Sequence, residues 1–140
     1  MFVKQLSIFL ENETGRLEDV LALLSKQQIN IIALSLADTT EYGMLRLIVS
    51  NPEQARAALK EAGFSAMLTD VICLRVSHAS GSLYQIIHNV LNSVGIEYMY
   101  AFSTGDEALN VIKFANPQEA AMLIKEKNIK VWRSIDIENL

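Results

Sequence analysis

The chain repeats itself, and that internal similarity constrains its fold more than any single motif does. Its only two prolines, Pro52 and Pro117, each follow an asparagine and stand 65 residues apart. Proline in the first turn of a helix gives up no bonded N–H, and the asparagine before it is a good N-cap, so both pairs mark a helix start. Gly15 and Gly81, 66 residues apart, supply a second mark, inside Asn12-Glu13-Thr14-Gly15-Arg16-Leu17 and His78-Ala79-Ser80-Gly81-Ser82-Leu83. An amphipathic run follows each glycine: Leu17, Val20, Leu21 and Leu24 in the first copy, and Leu83, Ile86, Ile87 and Val90 in the second. That is the i, i+3, i+4, i+7 stripe of a helix with one buried face, written twice.

Strands with a period of two surround these helices. Leu6, Ile8 and Leu10 precede the first glycine, and Ile72, Leu74 and Val76 precede the second. Two more strands are expected in each copy, at 30–37 and 44–50 and again at 96–103 and 109–114. Reversals fall at 39–43 and at Thr104-Gly105-Asp106. Second helices at 52–62 and 117–127 lead to final strands at 64–69 and 131–137. Each half then reads β-α-β-β-α-β, which predicts an α+β fold of two ferredoxin-like βαββαβ repeats. Right-handed crossovers place both helices of a repeat on one face of its antiparallel sheet. The expected domains are 1–69 and 70–140, with no Gly/Ser/Pro-rich linker at the join.

Composition narrows the function. Twelve Lys+Arg against sixteen Asp+Glu give a net charge of −4, the wrong sign for a surface that gathers phosphate backbones, so nucleic acid is not an expected partner. Tyr98, Tyr100 and Phe102 suggest an RNA-binding sheet, but the K/R-G-F/Y pattern that goes with one is missing. No window nears the roughly 20 apolar residues of a membrane span, and the opening MFVKQLSIFLENE reads as a strand and not a signal peptide. A single cysteine, Cys73, excludes an internal disulfide and suits a reducing compartment, so a cytoplasmic protein is expected.

The second alternation set of several strands is also apolar. It comprises Val3, Phe9, Val71, Cys73 and one of two sets on the same strand, Tyr98, Tyr100 and Phe102 or Met99 and Ala101. An uncovered apolar face predicts burial against another sheet, hence a homodimer formed around Phe9, Val71 and Tyr98 or Tyr100.

Catalytic arrangements are sparse. The two histidines, His78 and His88, lie in no metal-ligand pattern, so no metal and no cofactor are expected. Cys73 sits inside a strand, and a Cys-His pair with His78 is not expected to form. Ser80 and Ser82 flank Gly81 without a G-x-S-x-G elbow, and Glu11 and Glu13 have no positioned partner. Trp132 reads as a core or interface anchor, and His88 as a solvated or interface side chain.

What remains is the strand-to-helix loop, present twice. A glycine there lets the backbone approach a ligand, and the free N–H groups of the helix start favour an anion such as a carboxylate. Asn12 and Thr14, or His78 and Ser80, add side-chain hydrogen bonds, although Asn12 and Thr14 could equally cap the first helix and Ser80 the other.

The run Glu11-Asn12-Glu13-Thr14-Gly15-Arg16-Leu17, with Gln28-Ile29-Asn30-Ile31 opening the second strand, resembles an ACT domain, the amino-acid-sensing module of metabolic enzymes. Its loop is similar to that of the regulatory domain of phosphoglycerate dehydrogenase, except that Thr14 and Ser80 stand where the usual loop has proline before glycine. The resemblance spans nearly the whole chain as two ACT copies. It implies sheets joined side by side, with the ligand at the interface of the two domains. It further implies ligand-binding residues Asn12, Thr14, Gly15, Arg16 and Leu17 facing Glu97, and His78, Ser80, Gly81, Ser82 and Leu83 facing Asn30.

The expected function is therefore a non-catalytic regulatory protein that binds a free amino acid. Its expected partners are that ligand, a second copy of the chain and a metabolic enzyme or regulator in trans. The alternative is a small enzyme on a ferredoxin-like scaffold, since fold alone does not settle function.

Overall fold

The computed structural model describes residues 1–11, 14–38 and 41–140. Two compact units emerge: an N-terminal unit of Lys4–Thr69 with Ile137–Leu140, and a C-terminal unit of Asp70–Asp136 with Met1–Val3. The first contains β1 (Val3–Glu11), α1 (Arg16–Lys26), β2 (Ile31–Asp38), β3 (Tyr42–Val49), α2 (Pro52–Glu61) and the opening of β4 (Ser65–Ser77). The second takes up β4 again and adds α3 (Ser82–Asn89), β5 (Ile96–Thr104), β6 (Glu107–Phe114), α4 (Pro117–Glu126), β7 (Val131–Trp132) and α5 (Ser134–Glu138). Strand order is β2-β3-β1-β4 in the N-terminal unit and β7-β4-β6-β5 in the C-terminal one, and β1 with β3, β2 with β3, β4 with β6, β4 with β7 and β5 with β6 pair antiparallel. Each is the ferredoxin-like arrangement of an α+β fold.

The repeat marks act as their chemistry predicts. Asn51 Oδ1 accepts from the Gln54 N–H at 3.2 Å, and Asn116 Oδ1 accepts from the Glu119 N–H at 3.2 Å, so the same cap starts α2 and α4. Gly15 and Gly81 precede α1 and α3 with φ of 93° and 85°, a left-handed conformation that glycine adopts without steric penalty. Alternate strand residues then fill one core per unit. Leu6, Ile8, Leu45 and Leu47 pack with Val20, Leu24 and Leu59 in the first, and Ile72, Leu74, Ile112 and Phe114 pack with Ala120 and Ile124 in the second.

Two expectations are corrected. The last strand does not run over 131–137: β7 stops after Trp132 and α5 replaces the rest. The Asp136 carboxylate accepts the Arg133 N–H at 2.9 Å and its guanidinium at 3.2 Å, and a carboxylate reaching back to the residue ahead of a helix stabilises a helical turn over continued extension. The Arg133 side chain and backbone N–H hold the Asp136 carboxyl below its ordinary value.

The apolar sheet face around Val71 is also not left open. Val71, Cys73, Leu109 and Val111 are each at most 1% exposed within the single chain. Trp132 pairs across from Cys73 and so lies on that face, with its Nε1–H donating to the Ala108 carbonyl at 3.4 Å and Arg75 over its ring at 4.3 Å. Arg75 in turn grips Glu107 with two bonds of 2.7 Å, which hold the Glu107 carboxyl below the usual carboxylate range. The β5 register, with Met99, Ala101 and Ser103 opposite Ile112, Asn110 and Ala108, assigns Tyr98, Tyr100 and Phe102 to the face away from the helices. Phe9 does stay exposed, its ring 5.3 Å from that of Tyr42. Among the described residues, no helix is long and apolar enough to cross a membrane.

Candidate functional site

The second glycine loop closes over a cavity of about 550 Å³, within the range of small-molecule sites. Its rim comes from the end of β4 and the loop (Ser77, His78, Ser80 and Gly81), its wall from Leu83 and Tyr84 of α3, and its floor from Ala101, Ser103, Ala108 and Asn110. Three local features aim polar groups into this space. The left-handed Gly81 turns the chain into α3, where no side chain caps the helix. Ser82 N–H donates to the Ala79 carbonyl at 3.2 Å and Gln85 N–H to the Gly81 carbonyl at 3.0 Å, so the N–H groups of Leu83 and Tyr84 have no acceptor among the described residues. His78, whose backbone N–H donates to the Asp106 carbonyl at 2.8 Å, brings its Nδ1 to 3.4 Å from Ser103 Oγ.

Asn110 is the least exposed polar residue of the lining. The residue is 3% exposed, and its amide makes no side-chain hydrogen bond to another described residue and stays open to the cavity. The repeat explains why space exists around it. Asn110 pairs with Ala101 on β5, and at the matching register of the N-terminal unit Leu45 pairs with Leu36. Leu45 is fully buried in its core, so the C-terminal copy has an amide and a methyl where the other has two isobutyl groups. Helix α3 is also shorter than α1, eight residues against eleven, and buries none of its own side chains where α1 buries Val20 and Leu24.

Of the residues expected at a site, His78, Ser80, Gly81 and Leu83 come together here, with Ser82 as the first residue of α3. Thr14, Gly15, Arg16 and Leu17 lead into α1, where the Arg16 guanidinium lies 4.3 Å from the centre of the Phe64 ring. Asn12 lies outside the described residues. Asn30 is exposed and fixed through its backbone, its N–H donating to Ser50 Oγ at 3.0 Å. Glu97 is exposed at the register shift of β5. Sequence reasoning passed over Asn110, Ala101 and Ser103, although aligning the copies on their prolines sets Asn110 against Leu45.

Cys73 is fully buried, and burial pushes its thiol up to about 12, so it stays protonated and unreactive. His88 stacks on Tyr84 with ring centres 5.3 Å apart. No group of three potential metal ligands occurs among the described residues.

The comparisons agree with this architecture. Residues 1–140 match the family model described as an ACT domain pair. Protein BT0572 from Bacteroides thetaiotaomicron is 38% identical, with a TM-score of 0.94 over 100% of this chain and 98% of that one. The regulatory subunit of aspartate kinase from Thermus thermophilus, 17% identical, superposes with a TM-score of 0.62 over 89% of this chain and 90% of its own. Its counterpart from Thermus flavus, 15% identical, gives 0.58 over 88% and 90%. A sequence search of curated proteins finds no match. With its whole length matched by that model and two βαββαβ units present, the chain belongs to the ACT domain pair family.

Proposed function

We propose that this chain is a non-catalytic regulatory module that binds a free amino acid at the cavity under its second glycine loop and passes the bound state to a metabolic enzyme or regulator in trans. The observation that carries this reading is the convergence, on one cavity, of the uncapped start of α3, the His78 imidazole and the buried Asn110 amide. A zwitterion matches them: helix N–H groups take its carboxylate, and an amide oxygen takes its ammonium. The first glycine loop, from Asn12 to Leu17, is proposed as the corresponding corner of the other repeat. Asn30 and Glu97 are proposed as polar contacts, since both carry oxygens that accept from an ammonium. An enzyme reading has less support, because the one thiol is buried and protonated. The lone cysteine fits a cytoplasmic setting.

A thermal-shift screen of the twenty amino acids tests the reading. One of them, at about 100 times its dissociation constant, is expected to stabilise the protein by roughly 2.7 kcal/mol. A folded, ligand-free sample that responds to none would overturn it. We also propose a homodimer through the apolar residues that stay exposed, Phe9 and Tyr42 foremost. Sedimentation is expected at about twice 15.6 kDa, and a persistent monomer at tens of micromolar would count against pairing.

A further inference from the structure

We infer that Asn110 sets the specificity of the cavity, selecting an amino acid whose side chain is neutral and hydrogen-bonding, a primary carboxamide above all; this rests on the amino-acid reading above. Three observations lead here. Asn110 lines the cavity, and its amide makes no side-chain hydrogen bond to another described residue and is left open to that space. An amide that faces a cavity can exchange water for a bound partner, and a ligand that displaces the water without replacing its hydrogen bonds loses affinity. No Asp, Glu, Lys or Arg lines the cavity: Val76, Leu83, Ala101 and Ala108 are apolar, and Tyr84 and Ser103 are neutral. A charged ligand side chain set against them would lose its hydration without gaining a counter-ion, and an apolar one would leave the amide unsatisfied. A carboxamide satisfies donor and acceptor together by pairing antiparallel with the Asn110 amide, whichever way that amide is turned. Finally, Leu45 fills the matching place in the other repeat, and the fold is kept there with no polar group at all. The amide is therefore not required by the architecture, which leaves recognition as its use.

The test compares wild type with Asn110→Leu by titration calorimetry and saturation-transfer NMR, using asparagine, glutamine, leucine, aspartate and lysine, and propionamide as a probe with no amino-acid head group. Wild type is expected to bind asparagine or glutamine at least tenfold more tightly than leucine, aspartate or lysine. Asn110→Leu is expected to lose that preference by tenfold or more while melting at the same or a higher temperature. Asn110→Ser, which keeps a polar group but shortens its reach, is expected to fold and to fall between the two, and it stands in if the leucine variant does not fold. Equal amino-acid affinities in wild type and both variants would overturn the role of Asn110 and leave the amino-acid reading intact. Binding of propionamide by wild type but not by the variants, with no amino acid bound, would overturn the amino-acid reading and keep the recognition by Asn110. No binding of any probe would overturn both.

Discussion

Replacing Phe114 by alanine is expected to destabilise the C-terminal unit by about 3–5 kcal/mol. Phe114 is the largest fully buried side chain among the described residues, 1% exposed at the end of β6, where it packs with Leu91, Val94 and Ile124. Truncation removes its transfer free energy and leaves a void that the flanking strands cannot close. Since a domain of this size is stable by only about 5–15 kcal/mol, the variant should lose much of its cooperative melting. Urea denaturation followed by circular dichroism would show a lower midpoint at an unchanged slope. A shift equivalent to less than about 1 kcal/mol would mean that the helices of this unit do not rest on β6 as described.

The second large effect contrasts the two repeats at one register position. Leu45→Ala is expected to cost about 2–5 kcal/mol, because Leu45 is fully buried against α1 and its neighbours in the N-terminal core. Asn110→Ala, at the matching position, is expected to cost less than about 1 kcal/mol, since it removes an amide that has no protein partner to lose and that borders an existing cavity. Chemical denaturation of the two variants measures the contrast directly. Equal losses would show that Asn110 supports its unit as Leu45 supports the other, and would leave the cavity without its polar floor as a recognition element.

This asymmetry marks where sequence reading reaches its limit. The repeat was legible because helix starts are local chemistry: an Asn-Pro pair caps a helix whatever surrounds it, and a glycine in the left-handed region turns a strand into a helix by its own freedom. Period-two and period-3.6 patterns then set the element order and the core faces, since burial acts on every residue of a strand or helix at once. The final strand was misread because Val131, Trp132, Ile135 and Ile137 are apolar enough to extend it, whereas the outcome turned on one carboxylate, Asp136, reaching back to Arg133. Burial of the Val71 face escaped for a related reason. Val71, Leu109 and Val111 lose their exposure only in the folded chain, and contacts between segments distant in sequence leave no periodic trace.

The glycine loops were visible as candidates through their residue types. The cavity was not, because it arises from what is missing: a shorter α3 and two small or polar residues, Ala101 and Asn110, that oppose each other only once β5 and β6 pair. Read along the chain, Asn110 is an isolated polar residue in an apolar strand. Only when set against Leu45 does it mark the place where one repeat has exchanged packing for a chemical surface.

Whether an amino acid is held beneath the second glycine loop is decided by titrating isotope-labelled protein with each amino acid and following every backbone and side-chain amide by NMR. Saturable shifts are expected, concentrated at His78, Ser80, Gly81, Leu83 and Tyr84, and at the Asn110 side-chain amide. Saturable shifts confined to other surfaces, such as that of Arg75, Glu107 and Asp136, with these signals unmoved, would contradict this placement, as would a spectrum that no amino acid changes.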